Sequence, residues 1–137
     1  MLAMFSFYGG GSLLVLRVFL GAVFVVHGWP KIKNLKATAK GFAGMGFKPG
    51  WLFGTIAALL EFFGGIGLVI GFLVVPFAAF LALQFLTITI WKILKKAPFT
   101  GAGGWELDLV ILGGLIALLA LGSGSFALDR MFFGPWL

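Results

Sequence analysis

Four stretches of this chain, residues 12–29, 51–72, 76–94 and 104–122, are apolar almost throughout, and each is long enough for one helical crossing of a bilayer. Hydrocarbon offers no partners to peptide N–H and C=O groups, so a lipid-exposed segment must satisfy them internally, as a helix does. The expected fold is therefore all-α: a polytopic membrane four-helix bundle, one domain over residues 1–137. Composition agrees, since 61% of residues are hydrophobic and 10% charged, against about 25% charged in soluble chains. Mean hydropathy is +1.15, which leaves no soluble surface. A cleavable signal peptide fits the first segment poorly, because Arg17 interrupts its apolar run and no basic residue precedes it.

Charge orients the bundle. Lys31, Lys33, Lys36, Lys40 and Lys48 follow the first segment, and Lys92, Lys95 and Lys96 close the third. Basic loops stay in the cytoplasm, so both termini are expected on the non-cytoplasmic side. Trp29, Trp51, Trp91 and Trp105 stand at the same ends, where indole rings favour the headgroup layer. The formal net charge of +6 then suits anionic lipid rather than nucleic acid. Between the first two segments, Ile32, Leu35, Ala39 and Phe42 recur at helical spacing opposite lysines. A short interfacial helix is predicted there, as an anchor or as a lid over the bundle mouth.

The chain contains no cysteine, which excludes thiolate, disulfide and iron–sulfur chemistry by this polypeptide. Polar groups inside the apolar segments are costly and mark sites. Glu61 is the sole charge between Trp51 and Phe72. Counting about 1.5 Å per residue from the flanking tryptophans puts Arg17 and Glu61 at similar depth, and an Arg17–Glu61 pair is expected to neutralise both. His27, Glu106 and Asp108 share a second layer near the lysine-rich end. Glu106 and Asp108 are two apart on a helix and point to different sides, so one should face inward. This layer could orient a ligand carbonyl or pass protons, or simply suit the helix dipoles. No metal site is expected, because a lone His with scattered carboxylates lacks ligand spacing. Gly64, Gly65, Gly113 and Gly114 should permit close helix contacts, and the glycines following Glu61 turn its side chain into the bundle.

The order Arg17, His27-Gly28-Trp29-x-Lys31, Glu61-x-x-Gly64-Gly65, Trp105-Glu106 and Gly122-Ser123-Gly124 through Leu128-Asp129 resembles the DoxX family over nearly the whole chain. The resemblance carries Arg17, His27, Gly28, Lys31, Glu61 and Glu106 over as recurring positions, while Asp108 rests on its own placement. It also implies a multi-pass protein of the cell inner membrane. In function it implies a membrane subunit of a quinone-linked oxidoreductase, or of an oxidative or thiol-stress system. Quinone is then the expected cofactor and a redox subunit the expected partner. A proton-coupled small-molecule exporter and a non-catalytic assembly or anchor protein remain open alternatives.

Overall fold

The computed structural model describes residues 2–134, with side chains from residue 9 onward. The elements run α1 (Leu2–Lys33), α2 (Leu35–Gly44), α3 (Gly50–Ile70), α4 (Val74–Leu94), α5 (Glu106–Leu121) and α6 (Leu128–Phe133), with no strand among the described residues. Three helices, over Gly9–Lys33, Gly50–Ile70 and Val74–Leu94, are long and apolar enough to cross a membrane. Helix α5 has 16 residues, about 24 Å of rise.

Each boundary has a local cause. Helix α1 passes through Pro30, where the missing N–H disturbs only its last turn. Asn34 then ends it and caps α2, its side chain accepting from the Ala37 N–H at 3.0 Å. At the other end of the bundle, Gly71 closes α3 in the left-handed region at φ 77°, and the Gly71 and Phe72 N–H groups both donate to the Gly67 carbonyl. Leu73 follows at φ 51°, a conformation disfavoured for a side chain bearing Cβ. The carboxylate of Asp129 holds it there, accepting from the Leu73 N–H at 2.6 Å and the Val74 N–H at 2.9 Å. It therefore caps the start of α4 from the far end of the chain.

Between these ends, α1, α3, α4 and α5 enclose an apolar core of Leu20, Phe24, Leu68, Leu81, Phe85 and Leu115. Phe24 and Phe85 meet edge to face at 5.3 Å. Outward, Phe19, Val26, Phe80, Leu83 and Val110 are each at least 62% exposed, a belt that lipid rather than water would cover.

Helices α1 and α3 are antiparallel and touch through their backbones. A Cβ on Gly65 would lie 2.8 Å from the Gly21 carbonyl, one on Gly21 would lie 2.5 Å from the Gly65 carbonyl, and one on Gly28 would meet the Phe62 nitrogen at 2.6 Å. Gly64 turns to α4 instead, against Phe77 and Leu81. Of the two α5 glycines expected at contacts, Gly114 faces Leu20, but Gly113 has nothing within 4 Å and is exposed. The expectation of a helix contact at Gly113 within this chain is therefore corrected: two successive residues on a helix cannot face the same neighbour.

Because packing in lipid depends on close fit, Gly65→Leu should destabilise the bundle by about 1–3 kcal/mol, whereas Gly113→Leu should fall within about 0.5 kcal/mol of the native protein. Unfolding titrations of both variants in mixed micelles test the contrast.

Candidate functional site

At the lysine-rich end, α1, α3, α4, the 101–104 loop and the start of α5 surround a cavity of about 450 Å³, within the range of ligand sites. Its polar lining is His27 and Lys31 from α1, Glu61 from α3, Lys92 from α4, and Glu106 with Asp108 from α5. Four of the five candidate site residues thus share one chamber, and Arg17 does not.

Glu61 is fully buried. Both its carboxylate oxygens lie 2.6 Å from the Lys31 ammonium, and Gln84 Nε2 donates to its Oε1 at 2.5 Å. The expected Arg17–Glu61 pair is therefore overturned. The reason is register: the Gly21–Gly65 and Gly28–Phe62 contacts place Gly28 beside Glu61, offset by about two turns from a hairpin that levels Trp29 with Trp51. Helix α2 occupies the difference, with Ala39 packed on Gly50 and Gly54 of α3. Lys31, one turn beyond His27, then reaches Glu61. Its side chain keeps 30% exposure while that of Glu61 keeps 1%, so the ammonium snorkels into the cavity and meets a sealed carboxylate.

Arg17 sits at the opposite end, also fully buried. It packs against Gly71, where any Cβ would collide with its Nη1, and donates from Nη2 to the Phe126 carbonyl at 3.0 Å. Asp129, fully buried in the same region, supplies the nearby negative charge. The Asp129 N–H in turn donates to the Gly71 carbonyl at 2.9 Å. Arg17 and Asp129 thus fasten the C-terminal segment to the α3–α4 turn.

Glu106 and Asp108 divide as their spacing requires. Asp108 is buried and pairs with Lys92 at 2.5 Å, while Lys92 also donates to the Gly104 carbonyl at 3.0 Å. Glu106 and His27 are exposed at the cavity mouth. Among the described residues no three His or carboxylate side chains are placed so that they could hold a metal ion together. Two residues outside the expected set complete the site. Gln84 has a sequence signal as an amide inside an otherwise apolar segment; Lys92 is disguised as one more boundary lysine.

The DoxX family model matches residues 12–93 of the chain. This chain belongs to the DoxX family. It is 30% identical over 126 residues to "Inner membrane protein YqjF" of Escherichia coli (strain K12), an alignment covering 91% of this chain and 95% of that protein. It is 35% identical over 124 residues to "Putative oxidoreductase CatD" of Bacillus subtilis (strain 168), covering 88% and 86%. No solved structure matches it. With the apolar helices and their lipid-facing belt, these relatives make this DoxX chain a multi-pass inner membrane protein.

The geometry separates two pairings by a double-mutant cycle. Lys31→Met with Glu61→Gln should show a coupling energy in the upper half of about 0.5–3 kcal/mol, and Arg17→Met with Glu61→Gln less than about 0.5 kcal/mol. Unfolding free energies of the single and double variants in mixed micelles give both numbers.

Proposed function

We propose that this protein is the membrane-embedded subunit of a quinone-linked redox system, and that the cavity between α1, α3, α4 and α5 holds the quinone head. The observation that carries this reading is the convergence of two lysine–carboxylate pairs and a histidine on one chamber, with Glu61 of the first pair buried inside an apolar helix of membrane length. Ionisable groups there mark function. Quinone carbonyls accept hydrogen bonds, and Lys31, Lys92 and His27 donate them. Reduction to quinol requires two electrons and two protons. A partner protein with its own redox group supplies the electrons, since this chain has no cysteine. His27 and Glu106 stand at the mouth, where protons enter from water. The name of the CatD relative points to oxidoreductase chemistry in that protein.

In this reading the chain crosses the bilayer four times with both termini on the non-cytoplasmic side. Helix α5 is short for a span, yet its flanks fold onto protein, through Gly104 to Lys92 and through Phe126 to Arg17. Irregular backbone at membrane depth is tolerated in that setting. An exporter using Glu61 as proton carrier is less well supported, because Lys31 and Gln84 both hold the carboxylate.

Titration of the purified protein in nanodiscs with a tail-less benzoquinone should show saturable binding. Lys31→Met should weaken it by about tenfold, the loss of one charged hydrogen bond. Absence of saturable binding to the native protein sinks the quinone reading and leaves a structural role for the ion pairs.

A further inference from the structure

A second cavity adjoins the first. It is an apolar groove of about 240 Å³ between α3 and α4, lined among others by Phe47, Ile56, Phe80, Leu83, Gln84 and Ile88. Ile88 also lines the polar chamber, and Gln84 donates to Glu61, which lines that chamber too. Groove and chamber thus meet at α4, where Ile88 borders both and Gln84, one turn away on the groove side, is hydrogen-bonded to the chamber's Glu61.

The groove has a roof and an open flank. Phe47 covers it at the lysine-rich end, clustered with Phe42, Phe53 and Trp91 at ring separations of 6.1, 6.2 and 6.5 Å. Trp91 ties that roof down, its indole N–H donating to the Met45 carbonyl at 3.0 Å. Along the flank, Ile56, Phe80 and Leu83 are 51%, 62% and 63% exposed, on the outer surface of two membrane-length helices. The groove therefore opens sideways to lipid and is covered toward the aqueous end.

A channel that is apolar along its length, lateral in opening and amide-tipped at its inner end fits a molecule with a long hydrocarbon tail and a hydrogen-bonding head. We propose that this groove seats the tail of a lipid-borne quinone whose head occupies the polar chamber, so that the site loads from the bilayer and not from water. This rests on the reading of the chamber as a quinone-head site and adds the route and the tail specificity. Gln84 is placed to meet the head as it leaves the apolar groove. The aromatic roof then has a role in closing the tail channel, beyond anchoring α2 at the interface.

The test compares a benzoquinone bearing a ten-carbon alkyl tail with its tail-less counterpart, each measured as binding to protein-containing nanodiscs in excess of empty ones. Ile56→Trp and Leu83→Trp, both on the lipid-facing rim, fill the groove without touching the chamber, and a thermal melt confirms that each folds. In both variants the tailed quinone should bind about tenfold more weakly, the loss of roughly two buried methylenes, while affinity for the tail-less quinone stays within about twofold. Equal weakening of both ligands, or no change in either, overturns the groove assignment and spares the head-group site. A native protein that binds neither ligand overturns the head-group site, and the tail channel with it.

Discussion

The backbone contact between α1 and α3 decides which partners Glu61 and Arg17 can reach. Gly21, Gly28 and Gly65 let the two helices approach until peptide groups of one meet peptide groups of the other, and such an interface tolerates little sliding or separation. The register that results sets Lys31 beside Glu61 and Arg17 beside Gly71. Had the helices been held apart by side chains, the lysine stem would have had to span the added gap. A carboxylate with 1% exposure and no counter-charge cannot persist ionised in an apolar interior.

Polar contacts then join the helices at both ends, leaving an apolar core between. Near the lysine-rich end, Lys31–Glu61 links α1 to α3, Gln84 links α3 to α4, and Lys92–Asp108 links α4 to α5. At the other end, Arg17 and Asp129 draw the C-terminal segment onto the α3–α4 turn. In lipid, apolar side chains pack against helices and against acyl chains with similar ease, so dispersion alone specifies a neighbour weakly. Buried ion pairs add little net stability, but a mispaired arrangement strands a charge and costs about 3–5 kcal/mol. Their contribution here is to exclude other registers.

Sequence carried much of this. Apolar length marked the helices, lysine and tryptophan marked one end, and the spacing of Glu106 and Asp108 required them to diverge, as they do. The inward direction of Glu61 followed from the glycines after it. The identity of its partner did not, because tryptophan depth is a marker of the interface and not of helix register. The α2 segment shifts α3 along α1 by a distance that depends on how Ala39 packs against Gly50 and Gly54, a contact invisible to periodicity. Asp129 was legible as part of a family-like tail, yet its capping of α4 joins positions more than fifty residues apart. Gln84 and Lys92 belonged to segments read chiefly for hydropathy, where one amide or one boundary lysine carries little weight until a carboxylate is placed beside it.

The two partners of Glu61 are unequal, and that inequality bears on what the chamber can do. Lys31 is reachable from the cavity, whereas Gln84 approaches from the groove side of α4. In the proposed quinone site, a carbonyl entering the chamber would compete with Glu61 for the ammonium, which has three protons to donate and need surrender none of its charge. Gln84 donates to the same carboxylate from α4, so in the proposed site the acid would retain a donor while Lys31 turned to the ligand. In that proposal, ligand binding would draw on the same Lys31–Glu61 interaction that joins α1 to α3.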